Sequence, residues 1–190
     1  MIVFTFRKCS LVLDFSFFAV IAVYCLIDSS ELAIYTVVAC LLHEIGHLLA
    51  MYISGVGPDK LVFFCAGISI GSVELDFAPF KKKIFILSAG VLVNLLCSLF
   101  FYLLGHELFS AMHLAIGLFN FFPVGNLDGA RILQAVLSRF IRPHLVDKLR
   151  KYIALGFVFV VLIVELVFNI SAYAMLVTAL FFLIMQSDNI

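Results

Sequence analysis

The sequence predicts an all-α membrane fold of six transmembrane helices, with a small cytoplasmic β-hairpin after the second span and a broken helix after the fourth. Three observations carry that prediction. Of 190 residues, 65% are hydrophobic and only 13% charged. Several apolar runs approach the roughly 20 residues that a crossing helix needs. When six spans are drawn, every Lys and Arg falls on one side. A soluble domain of this length could not hide 22 phenylalanines among so many other apolar side chains.

The apolar runs are Leu11 to Ile27, Leu32 to Ile53, Ile84 to Gly105, Leu108 to Phe122, Tyr152 to Asn169 and Ile170 to Met185. No small-residue cleavage pattern follows the first, which therefore reads as a retained signal anchor. With a cytoplasmic N-terminus, the inner pieces are 1–10, 54–83, 123–151 and 186–190. They hold all 12 Lys and Arg, from Arg7 and Lys8 to Lys151, while the outer pieces carry only Asp28, Glu31 and Glu107. This is the positive-inside asymmetry. It predicts an integral membrane protein with both termini cytoplasmic, and it makes Lys81-Lys82-Lys83 and the basic 131–151 stretch topology anchors. Residues 1–190 read as one transmembrane domain.

Between the second and third spans, Gly55-Val56-Gly57-Pro58-Asp59 is turn chemistry, and the run Ile68 to Phe77 alternates apolar and polar residues, the pattern of strands. Such a hairpin can be purely structural, or it can dock an extended peptide by strand addition. From Gly129 to Lys151, apolar positions at 132, 133, 136, 137, 140 and 141 among arginines predict an amphipathic helix on the inner surface, with Pro143 as its end or a kink. Cys9, Cys25, Cys40, Cys65 and Cys97 are scattered without a paired motif and read as small packing residues. No basic tract with interleaved aromatics points to a nucleic acid, so none is expected as a partner.

The chemistry lies in His43-Glu44-Ile45-Gly46-His47, inside the second apolar run. Residues four apart share a helix face, so two imidazoles can reach one metal ion, while Glu44, about 100° round the helix, faces the remaining coordination space. Ionisable groups at membrane depth are costly and mark function. A catalytic zinc needs a third protein ligand and an open position. The candidates are Asp14, His113, Asp128 and Glu165. Asp128 is favoured, because Pro123, Gly125 and Gly129 break the chain beside it, and broken helices at membrane depth line polar cavities. Glu44 would then act as general base towards a peptide carbonyl. For His113 an interhelical hydrogen bond is the simpler role.

These two motifs together, HExxH and then Asn120-x-x-Pro123-x-x-x-Leu127-Asp128-Gly129, resemble the site-2 protease family of intramembrane zinc metalloproteases, in particular its compact six-span branch with the stage IV sporulation protease. The resemblance implies one Zn²⁺ per chain on His43, His47 and Asp128, with Glu44 as the catalytic residue. It also implies regulated intramembrane proteolysis of membrane-tethered proteins such as anti-sigma or pro-sigma factors, with a membrane regulator protein or a second copy of the chain as further partners. Asn94, Asn120 and Pro123 are the substrate-binding residues it suggests. The third-span element of the family is Gly90-Val91-Leu92-Val93-Asn94 here, without its usual proline, and no CBS or PDZ segment is seen. Two other readings stay open: a protease with Glu165 as third ligand, and a non-catalytic membrane metal-binding scaffold or carrier.

Overall fold

The computed structural model describes residues 1–6, 9–27, 31–64 and 67–167. The chain begins with two strands, β1 (Ile2–Phe6) and β2 (Cys9–Leu13), paired antiparallel with Ile2 opposite Leu13. Leu11 to Leu13, expected in the first span, are therefore strand. An apolar run of this kind suits a buried strand as well as a helix, and periodicity alone does not separate them. What separates them is Asp14. Its Oδ1 accepts the Ser16 N–H at 2.8 Å, while its own N–H donates to the Phe63 carbonyl, so helix α1 (Phe15–Ile27) starts only after it. The Ser16 amide also holds the Asp14 carboxyl below the usual carboxylate range.

Helix α2 (Leu32–Ser54) runs for 23 residues, about 34 Å at 1.5 Å per residue, and closes on Gly55 at φ +68°, a left-handed position that glycine takes at no steric cost. Strands β3 (Lys60–Phe64) and β4 (Gly67–Gly71) form the expected hairpin. β3 also pairs parallel with β2, Ser10 against Lys60, giving one sheet in the order β1-β2-β3-β4. The all-α expectation is corrected accordingly: the fold is mostly helical with a four-stranded sheet. A parallel pair needs a crossover connection, here α1 and α2.

The alternating run to Phe77 stops being strand at Gly71. Ser72 caps a single turn, α3 (Val73–Asp76), accepting the Leu75 N–H and donating to the Gly57 carbonyl, while Asp59 accepts the Val73 N–H at 2.6 Å. Helix α4 (Phe80–Leu103) takes in the three lysines, and α5 covers Glu107–Asn120. After a turn come α6 (Asp128–Leu137) and α7 (Pro143–Val167). The break after the fourth apolar run is thus present. The amphipathic helix ends earlier than expected, and Pro143 opens α7 instead of kinking α6. Its fixed φ and missing N–H suit a first helical position.

Among the described residues, two helices, α2 and α4, are long and apolar enough to cross a membrane. The sixth run, Ile170 to Met185, the turn near Asn169, Arg7, Lys8, Asp28 and Cys65 lie outside the described residues.

The chain divides into two compact units, Met1–Phe119 and Asn120 onward. In the first, α2 packs along α4. Ile86, Gly90, Asn94 and Ser98, each four apart, are buried on α4, as are Ala39, His43, Gly46, His47 and Ala50 on α2. Small residues set the approach: a Cβ on Gly46 would meet Val93 Cγ2 at 2.9 Å and the Ala89 carbonyl at 3.0 Å. In the second unit, Val124 is buried with Ala154 against Phe157 and Val158, and Arg150 Nη1 donates to Gln134 Oε1 at 2.9 Å, tying α7 to α6.

Candidate metal centre

The HExxH segment sits in the middle of α2, where helical spacing alone stacks the two imidazoles. His43 and His47 are only 4% and 8% exposed, their ring centroids lie 4.8 Å apart, and their Nε2 atoms are separated by 3.2 Å. Two nitrogens on a tetrahedral zinc, each 2.0–2.1 Å from it, stand about 3.3 Å apart. The spacing of the two nitrogens therefore fits zinc. Glu44 follows on the next position of the helix and is half-buried.

Each imidazole is held from behind. His47 Nδ1 is 2.8 Å from the Ile86 carbonyl, which can only accept, so this nitrogen carries the proton and Nε2 keeps its lone pair. His43 Nδ1 is 3.2 Å from the Asn94 carboxamide, whose other end is 3.1 Å from His113 Nδ1. Both Asn94 and His113 are wholly buried. Gly90 lies across the two rings: a Cβ there would strike His47 Nε2 and stand 2.7 Å from His43 Cε1 and Nε2. The third-span element thus has a physical reason for its glycine. Sequence reasoning paired Gly90 and Asn94 by resemblance but gave neither a contact with the histidines. The i, i+4 spacing between them was the available signal.

Of the other candidates, Asp14 is taken up at the start of α1. Asp128 is the first residue of α6, 8% exposed, where a carboxylate also complements the helix dipole. The loop before it folds back tightly. Gly125 has φ +57°, and a Cβ on Gly129 would overlap the Phe121 carbonyl, so the glycine of the Leu-Asp-Gly element is there to let the loop backbone lie on the helix. Pro123 and Asn120 are partly buried at the end of α5 and in this loop. Glu165 is near the end of the described part of α7.

No family model matches the chain. It is 34% identical over 115 residues to the zinc metalloprotease MJ0392 of Methanocaldococcus jannaschii, a match covering 54% of this chain and 33% of that protein, so the match spans about a third of the relative's length. Among solved structures it superposes on the site-2 protease from Methanocaldococcus jannaschii with a TM-score of 0.70 at 21% identity, over 98% of this chain and 94% of the other. This chain has the site-2 protease fold. The solved structure carries the name of the family that the two motifs resemble, and the likeness to it is one of fold.

Proposed function

We propose that the chain is an intramembrane zinc endopeptidase, one membrane domain that cleaves membrane-tethered regulatory proteins of the anti-sigma or pro-sigma factor type within or beside the bilayer. The observation that carries this reading is the buried His43–His47 pair at zinc spacing on a helix long enough to cross. His43, His47 and Asp128 are the ligands proposed for one Zn²⁺ per chain. In support, each of the three is buried within its own unit. Two imidazoles and a carboxylate are a donor set zinc favours, with one position left open.

When bound, the ion supplies Lewis-acid polarisation of the scissile carbonyl and makes the attacking water more acidic. The chain's own residues do the rest. A Glu44 carboxylate oxygen takes a proton from that water as its oxygen bonds to the carbonyl carbon. Glu44 then returns the proton to the amine as the C–N bond breaks. Asn94, wholly buried against His43 and His113, serves the ligand and not the peptide, whereas Asn120, Pro123 and the β3–β4 hairpin are the parts proposed to hold an extended substrate.

Six crossings with both termini in the cytoplasm of a bacterial cell complete the proposal. The one-sided distribution of Lys and Arg supports it, as does the parallel β2–β3 pair, which an out-and-back passage through α1 and α2 would produce. A membrane regulator or a second copy of the chain is proposed as a further partner. The competing scaffold or carrier reading gives no work to Glu44, which no metal needs. Purified chain in detergent, assayed for zinc and for cleavage of a panel of tethered anti-sigma and pro-sigma segments, tests the reading. Glu44→Gln should keep zinc and lose cleavage. Well-folded chain without zinc, or cleavage that survives Glu44→Gln, overturns it.

A further inference from the structure

We propose that His113 is a positioning residue of the metal site: through Asn94 it decides which ring nitrogen of His43 carries the proton, and so whether His43 Nε2 is free to ligate. This rests on the zinc reading above and adds a third histidine to it. Ligation through Nε2 requires a lone pair there, so in the neutral ring the proton must sit on Nδ1 and be held by a partner. For His47 the backbone settles the matter, because the Ile86 carbonyl 2.8 Å from Nδ1 can only accept.

For His43 the Nδ1 partner is a side chain that can present either a donor or an acceptor. His43 Nδ1 faces the Asn94 carboxamide at 3.2 Å, with Nδ2 the nearer atom as placed and Oδ1 3.1 Å from His113 Nδ1. A half-turn of the amide exchanges a donor for an acceptor at nearly the same positions. With Nδ2 towards His43, Nδ1 must accept, its proton moves to Nε2, and ligation is blocked. With Oδ1 towards His43, Nδ1–H is held and Nε2 is free. The amide then turns Nδ2 towards His113, whose Nδ1 must accept and whose own proton must sit on Nε2. The tautomer of His113 therefore selects between the two polarities.

The surroundings of His113 suit that task. The ring is wholly buried, stacks on Phe101 at 5.7 Å and 15°, and meets Phe109 edge-on at 4.7 Å, so it cannot swing away from Asn94. Its Nε2 is buried with no hydrogen-bond partner among the described residues. A residue kept only for packing would avoid that cost, since a phenylalanine would fill an aromatic pocket without stranding a nitrogen.

The test is zinc affinity of the full chain in detergent, by competition with a chromophoric chelator. His113→Phe should weaken zinc binding about 10- to 100-fold, the usual cost of losing a partner behind a ligand. His113→Gln, which keeps an acceptor for Asn94, should retain most of the affinity. Asn94→Asp in the His113→Phe chain should restore it, since a carboxylate can only accept from His43. Wild-type affinity in His113→Phe, or equal losses in the Phe and Gln variants, would overturn the proposal. Should His113→Phe fail to fold, ¹⁵N shifts of labelled histidine in zinc-loaded wild type decide: a bare Nδ1 and protonated Nε2 on His113 are expected, and the reverse refutes the assignment. Wild type that binds no zinc sinks the metal reading as well, whereas zinc-binding wild type with an indifferent His113 sinks only this inference.

Discussion

At the scale of single residues, the histidine pair is governed as much by what stands behind it as by its own spacing. Gly90→Ala tests this. Its Cβ would press on His47 Nε2 and His43, and the expected result is at least a tenfold loss of zinc affinity with the helices still formed, read by metal content and circular dichroism. Gly156 in α7 is the control, because nothing lies within 4 Å of its added Cβ, and Gly156→Ala should leave zinc binding unchanged. His43, Glu44 and His47 were legible in the sequence because their relation is local to one helix, fixed by 3.6 residues per turn. The roles of Gly90, Asn94 and His113 were not, since they depend on α4 and α5 being laid against α2. No spacing within one segment reveals which face meets which.

At the scale of elements, close approach between helices is bought with small and hydroxylated residues. Ser110 Oγ donates to the Ser98 carbonyl at 2.7 Å and lies 3.1 Å from Ser98 Oγ, joining α5 to α4. Ser110→Ala should lower stability by about 0.6 kcal/mol, the average for interhelical hydrogen bonds in membranes, and by no more than about 1.7 kcal/mol, in detergent unfolding titrations. Gly129→Ala should be harsher, because the Phe121 carbonyl occupies the space of the new methyl. The start of α6 would have to shift, and the expectation is loss of folded chain or of zinc, seen on size exclusion and by metal analysis. The bounds of α2, α4 and α5 lie within a few residues of the apolar runs, as expected where length and hydropathy dominate. The β1–β2 strands were missed because Leu11-Val12-Leu13 is as apolar as α1 on the far side of Asp14, and the structural reason for the boundary, the capping at Asp14, is a single side chain that a membrane helix can also carry near its end.

For the whole molecule, a metal held by residues far apart in the chain would couple to the fold. If zinc binds only the native chain, chelation should abolish cleavage and lower the unfolding temperature. Free zinc at 1,000 times the dissociation constant adds about 4 kcal/mol of stability. Re-addition should restore both. The proposed orientation is open to cysteine labelling in intact cells: a single cysteine near Lys81 should react only from the cytoplasmic side and one at His106 only from outside.

The parallel pairing of β2 with β3 carries one more consequence. Its partners, Val12 with Val62 for instance, are fifty positions apart in the chain, so the first hairpin waits, with one edge bare, until two long helices have been made and brought back to the same place. A nascent chain whose leading end strays to the wrong face has nothing to zip against. If α1 and α2 cross and return as proposed, the sheet checks the insertion of that pair, and a bulky domain fused ahead of Met1, or the deletion of β1 and β2, should be a more damaging change than their distance from the histidines would suggest.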